Sequence, residues 1–214
     1  MGVVFSHLGV YRAGLTVSIE ITAATFALAF LLGLLLAGCR ISPVVPLRAA
    51  GGLYVAMFRS IPLLALLTLF VFGLPFVGVT YSLFWTAVTG MSLYWAAFFC
   101  EAIRSGVRAV PAGQIEAARS LGLSFGQILR LVVLPQALRT MVQPMASLLI
   151  AVTLNSSLAA AVGVTQELTG QTELLDQQVA QPLVTYGAAA VCYIALALGI
   201  GRMAGLIERR VALQ

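Results

Sequence analysis

Apolar residues along this chain run in long unbroken stretches, neither alternating as in a half-buried strand nor recurring every third or fourth position. Four stretches carry no formal charge: residues 21–39, 60–100, 140–166 and 177–201. A helix rises about 1.5 Å per residue, so roughly 20 residues cross a hydrocarbon layer about 30 Å thick. The stretch 60–100 is too long for one crossing, and its Gly73, Pro75 and Gly78 interrupt helices. It predicts two spans joined by a tight turn. The chain as a whole then predicts five spans, at about 15–39, 60–76, 80–100, 141–164 and 183–206. A lipid-spanning barrel would need alternating strands, which these runs do not supply. The expected fold is an all-α integral membrane protein, one transmembrane domain over residues 1–214.

Composition points the same way. The 214 residues are 61% hydrophobic and only 9% charged, whereas a soluble domain carries about 25% charged residues to solvate its surface. The N-terminal segment lacks the basic start and short apolar core of a cleaved signal peptide: Arg12 stands alone, with Glu20 near it, before a span-length stretch. A retained first helix is expected.

The net charge of +5 comes entirely from arginine, because the chain contains no lysine. Five spans put the termini on opposite sides. With the N-terminus outside, Arg40, Arg48, Arg59, Arg104, Arg108, Arg119, Arg130, Arg139, Arg202, Arg209 and Arg210 all fall inside and only Arg12 falls outside. That bias satisfies the positive-inside rule, so the N-terminus is expected outside and the C-terminus in the cytoplasm. Orientation accounts for the basic excess without nucleic acid. Cys39, Cys100 and Cys192 lack metal-ligand spacing and read as packing residues. His7 is the single histidine, so no metal site is expected.

The segment 101–139 is the longest hydrophilic stretch and carries five arginines. Pro111 suits a first helical turn, and Glu116 and Arg119 are spaced to pair on one face. Gly122 ends that helix, and Ser124 with Gln127 forms a capping-box pattern that starts another, leading through Ile128, Val132 and Val133 to Pro135. Two short helices with a tight bend result. Such a bend is an amphipathic surface hairpin, a connecting loop, or a knob that fits a partner's groove.

Within it, Glu116-Ala117-Ala118, then three residues, Gly122, nine residues, Val132, one residue and Leu134-Pro135 resembles the EAA signature of bacterial ABC-importer permeases, with Val132 at a position usually held by isoleucine. Phe58-Arg59-Ser60-Ile61-Pro62-Leu63-Leu64, Glu101-Ala102-Ile103-Arg104, Val110-Pro111-Ala112-Gly113-Gln114, Leu134 to Arg139, and Ser156-Ser157-Leu158 with Gly163-Val164 resemble the polar amino-acid branch, the histidine, glutamine and glutamate uptake type. The similarity covers roughly 14–163. One departure is Leu154, where that branch often has a lysine; a substrate or gating contact made by that lysine is absent here.

The resemblance implies a type I ABC importer permease fold with a cytoplasmic coupling helix between spans 3 and 4. It implies half of a translocation pathway worked by alternating access, with a polar amino acid such as glutamate or glutamine as cargo. Its implied partners are two ATP-binding cassette subunits, a second permease subunit (identical or related), an extracytoplasmic solute-binding protein and membrane lipid, in the bacterial inner membrane. Pro111, Gly113, Glu116, Ala117, Ala118, Gly122, Leu134 and Pro135 become the ATPase-coupling set. The chain itself binds no cofactor; ATP and magnesium belong to the ATPase, since a phosphate-binding Walker loop needs a lysine this sequence lacks.

Arg59, Pro62 and Glu101, at inner span ends, and Asn155, Ser156 and Ser157, polar residues in the fourth apolar stretch, are the pathway or gate candidates. Snorkelling, ion pairing or interhelical hydrogen bonding would equally explain them. An intramembrane enzyme would need a nucleophile with its base, paired carboxylates or a metal set, and the apolar runs contain no His, Asp, Glu or Lys. Permeation of another small solute (methionine, an osmoprotectant) and an uncoupled channel or scaffold are the other readings.

Overall fold

In lipid every backbone N–H and C=O must find its partner within its own segment, and each apolar stretch accordingly folds as helix. The structure, a computed structural model, describes residues 2–212. A short helix α1 (Gly2–Ser6) precedes α2 (Leu8–Ile41), 34 residues long. Next comes α3 (Val45–Ser60), which bends by 100° at Ile61–Pro62 into α4 (Leu63–Thr68). Pro62 is the residue before α4, where its fixed φ of −62° and missing N–H cost nothing. The helix continues as a π turn (Leu69–Gly73) and a 3-10 turn (Leu74–Val77), and Gly78, at φ 79°, ends it. Ser82 caps α5 (Leu83–Arg108) by accepting the Trp85 N–H.

Then α6 (Ala112–Ser120) and α7 (Phe125–Ile128) follow, and α7 runs through a π turn (Leu129–Val133) into α8 (Leu134–Asn155). The chain closes with α9 (Leu158–Ala161), α10 (Leu168–Val179) and α11 (Pro182–Ala212). Among the described residues four helices are long and apolar enough to cross a membrane, and the bent pair 45–60 with 63–77 makes a fifth if it is one broken span.

Three differences from the expected spans have physical causes. The helix expected from Met141 extends back to Phe125, because Pro135 sits in a first turn just after the π turn and does not break the path. Residues 45–60, which lie between the first two expected spans, form the helix Val45–Ser60, with Pro46 in its first turn and Pro62 just past its end. The segment between the last two expected spans contains α10, which buries Leu168, Thr172 and Leu175.

The core lies in three tiers along the helix axes. At one end Tyr11, Leu168, Leu175 and Ala189 join α2, α10 and α11. In the middle Ile21, Ala29, Leu67, Met91, Phe99 and Val152 join α2, α4, α5 and α8, with Phe26 edge-on to Phe99 at 5.2 Å. At the arginine-bearing end Ala37, Phe58, Cys100, Ile103, Ala118, Ile128 and Met141 join α2, α3, α5, α6, α7 and α8. Lipid tails are as apolar as leucine, so spans associate through close packing rather than through the hydrophobic effect. Gly33 supplies that closeness: a β-carbon there would lie 2.6 Å from Phe99 Cβ and 3.1 Å from the Ala96 carbonyl oxygen.

Gly33→Val should therefore destabilise the purified protein by about 1–3 kcal/mol, an overpacking cost. Gly38→Ala, one turn on, meets nothing within 4 Å and should be neutral. Thermal melts in one detergent compare them; equal melting temperatures would mean the α2–α5 contact is looser than described.

Candidate functional site

Two groups of functional side chains form at the arginine-bearing end. The first is the α6–α7 bend. Pro111 leads into α6 with φ −59° and ψ 136°, and Gly113 lies exposed in the first turn. The helix ends in a Schellman arrangement: the Gly122 N–H donates to the Arg119 carbonyl at 2.9 Å and the Leu123 N–H to that of Ala118 at 3.2 Å. Gly122 adopts φ 77°, a conformation open to glycine and strained for other residues. The capping box is present, Gln127 Oε1 accepting from the Ser124 N–H at 2.8 Å.

The bend has two faces. Ala118, Ile128 and Val133 are buried and brace it on α5 and α8. Glu116, Ala117 and Pro135 point outward, as do Leu121 and Phe125, which are 81% and 79% exposed. Large apolar side chains this exposed beside a helix end, next to the exposed Leu134, mark a contact with protein or with membrane. The expected Glu116–Arg119 pair does not form: among the described residues the salt bridges are Arg40–Glu101 and Arg104–Glu101 alone. Glu116 is exposed and makes no salt bridge among the described residues.

Those two bridges make the second group. Arg40 Nη1 donates to Glu101 Oε1 at 2.5 Å, and Arg104 donates to Oε2 through Nη2 at 2.6 Å and Nε at 3.2 Å. One carboxylate thus answers two guanidiniums. Arg59 adds a third, 5.4 Å above the Phe98 ring, an attractive cation–π position. Arg40, Arg59, Ser60 and Glu101 line a polar pocket of about 440 Å³ between α2, α3 and α5. Arg59 and Glu101 are therefore brought together, and Pro62 sits at the bend immediately beyond. Arg40 was not singled out by the sequence, although its position at the end of an apolar run was the available signal.

Asn155, Ser156 and Ser157 lie elsewhere, at the end of α8, between Val152 and Ala159 of the middle tier of the core. Each side chain bonds to its own helix: Asn155 Nδ2 to the Ala151 carbonyl at 2.8 Å, Ser156 Oγ to that of Thr153 at 2.8 Å, and Ser157 Oγ to that of Leu154 at 2.7 Å. Interhelical bonds, one of the readings open for these residues, are not made by their side chains among the described residues.

At the opposite end lies a fully buried carboxylate, Glu167, which was not among the residues the sequence singled out. It accepts from Ser18 Oγ at 2.7 Å, from the Thr169 N–H at 2.7 Å and from the Tyr193 hydroxyl. It thereby ties α2, α10 and α11. The backbone N–H donor places it at the start of α10, where a carboxylate is favoured. Among the described residues no group of three or more His, Cys, Asp or Glu lies close enough to hold a metal ion.

The described residues form a bundle of membrane-crossing helices with a bend held out at one end, the architecture of a multi-pass membrane protein. The profile of the binding-protein-dependent transport system inner membrane component matches residues 29–213, and the chain belongs to that family. It is 30% identical to the probable glutamine ABC transporter permease GlnM of Bacillus subtilis over 211 residues, 99% of this chain and 97% of that protein. It is 32% identical to the glutamate transport system permease GluC of Corynebacterium efficiens, over 92% of each. A solved amino acid ABC transporter with histidines superposes with TM-score 0.91 at 27% identity, over 96% of both chains. The inward-facing MetNI methionine ABC transporter, at 24% identity and TM-score 0.76, shows the same fold. The chain is thus an ABC importer permease that works with ATPase subunits.

Replacing Glu101 by Gln should leave Arg40 and Arg104 with a weakened acceptor and destabilise the protein by about 1–3 kcal/mol, lowering its melting temperature by about 2–4 °C per kcal/mol. Glu116→Gln, on the exposed face, should not move it. A melt in which both behave alike would show that the Arg40–Glu101–Arg104 cluster contributes nothing to packing.

Proposed function

We propose that this permease carries a polar amino acid such as glutamine or glutamate, with its N-terminus outside and its arginine-bearing end in the cytoplasm. The observation that carries the coupling role is the two-faced α6–α7 bend, braced inside by Ala118 and Ile128 and exposing Leu121 and Phe125 outside. A knob that is rigidly attached to α5 and α8 transmits a partner's movement to the spans, whereas a loose loop would absorb it. The arginine distribution supports the orientation, and the relatives' glutamine and glutamate cargoes support the substrate class.

In this reading Pro111 and Gly113 set the entry to the coupling helix. Glu116, Ala117, Ala118 and Gly122 seat it against an ATPase, and Leu134 and Pro135 return the chain to the membrane. Two ATP-binding cassette subunits bind ATP and magnesium, an identical or related second permease completes the pathway, and an external solute-binding protein delivers the cargo. Closure of the ATPases swings α5 and α8 between inward- and outward-open states. Arg59 is the cation left over beside the Glu101 cluster, suited to meet a substrate carboxylate at the inner gate, with the Pro62 bend as its hinge. Asn155 to Ser157 border the far end of the pathway, where Leu154 presents an apolar side chain.

Pull-down of the detergent-solubilised protein, with ATPase activity assayed on the eluate, tests the coupling. Wild type should bring down an ATPase, and a Glu116→Lys, Gly122→Asp double variant should not. Uptake of radiolabelled glutamine and glutamate into cells then reads the cargo. A wild type that purifies without ATPase under mild conditions would favour an uncoupled channel or scaffold. In a background with all three cysteines changed to serine, Glu173→Cys should react with an impermeant thiol reagent in intact cells and Arg119→Cys should not; the reverse pattern inverts the orientation.

A further inference from the structure

The polar pocket between α2, α3 and α5 is shaped by two adjacent glycines of α3. At Gly51 a β-carbon would lie 2.9 Å from Arg40 Cγ, so glycine there lets the Arg40 stem lie close against α3 with its head on Glu101. At Gly52, which lines the pocket, a β-carbon would meet nothing within 4 Å, so the space beyond it is open. A cavity of about 440 Å³ is in the range that takes small molecules. Its lining carries charge of both signs. Arg59 is exposed, makes no salt bridge among the described residues, and brings N–H donors to the pocket. A carboxylate offers about four lone-pair sites. On Glu101, Arg40 Nη1 takes one at Oε1, and Arg104 Nε and Nη2 take two at Oε2. One acceptor site is left on Oε1, on a carboxylate that itself lines the pocket.

A simple anion in this pocket would face Glu101 as well as Arg59, and a simple cation would face Arg40 and Arg59. A zwitterion answers both signs. We propose that the pocket is a binding site for a free α-amino acid, its carboxylate on Arg59 and its ammonium on Glu101 Oε1, with the side chain left unread. The rest of the lining is Gly52, Val55, Ala56 and Ser60, and the Ser60 hydroxyl already donates to the Ala56 carbonyl at 2.8 Å. No further ionised or amide side chain in the lining tells one amino acid from another. The proposal deepens the amino-acid cargo reading above and rests on it. A site at the arginine-bearing end that holds only the part common to all amino acids passes on whatever cargo the pathway delivers.

Binding of tritiated glutamine to the purified permease–ATPase complex, without nucleotide or solute-binding protein, tests the site. Unlabelled glutamine, glutamate and alanine should compete within about threefold of one another, since each presents the same pair of charges. Propionate, which lacks the ammonium, and alaninamide, which lacks the carboxylate, should compete about tenfold less well than alanine. Arg59→Gln should weaken glutamine binding about tenfold, and Arg59→Lys should recover part of it. Gly52→Leu fills the cavity from its open wall and should weaken binding as much, with the melting temperature unchanged. Absent binding, or binding that neither Arg59→Gln nor Gly52→Leu changes, would overturn the proposal. So would propionate or alaninamide competing as well as alanine, or glutamine and glutamate differing by more than about threefold. Uptake of radiolabelled glutamine and glutamate into cells keeps the two readings apart. Cells that import them while the complex fails these binding tests leave the importer reading standing without this site; cells that import neither overturn the cargo reading itself.

Discussion

Everything at the arginine-bearing end depends on how closely α2 and α5 approach at Gly33. With no hydrophobic force to drive spans together in lipid, their register is held by shape, and a glycine facing Phe99 and Ala96 fixes both the distance and the level of contact. Both helices continue toward the same end, so the register set at Gly33 brings Arg40, two turns further on, to Glu101. Helical side chains lean toward the N-terminus, which lets a long arginine reach back to a carboxylate slightly above it. The ion cluster is a consequence of the packing and not its cause.

From that seam the two ends of the molecule diverge in character. At one, a buried carboxylate with three hydrogen-bond donors locks α10 to the first and last spans. Burying a charge is expensive unless it is well bonded, and Glu167 is well bonded, so this end behaves as one body. At the other, α3 turns away through 100°, α2 and α11 part, and the coupling bend projects. The permease is rigid where α10 caps it and divided at the end that carries the α6–α7 bend. Under the coupling role proposed above, movement of the bend becomes relative movement of the spans. The cationic excess is gathered at that same end, beside a pocket lined by Arg40, Arg59 and Glu101.

Much of the coupling segment could be read from residues alone. Pro111, Gly122 and the Ser124–Gln127 box each act within four residues of chain, and all three capping arrangements are present as local chemistry demands. The Glu116–Arg119 pair failed although its spacing allowed it, because at the surface an exposed ion pair gains little over hydration. Apolar run length locates a span but not the point where its helix ends, and α8 stops at Asn155, inside the charge-free run 140–166.

Sequence by itself determined what lipid demands: the long helices, the segregation of arginine to one side and the local stop and start signals of the bend. These follow from run length, charge position and interactions between near neighbours in the chain. Tertiary structure decided whatever joins residues far apart: Glu101 to Arg40 across 61 positions, and Ser18 to Glu167 across 149. The helical character of 45–60 and 168–179 also emerged only with the fold, since short amphipathic helices take most of their stability from the surface they pack on. No pattern within either segment names that surface; the assembled bundle supplies it.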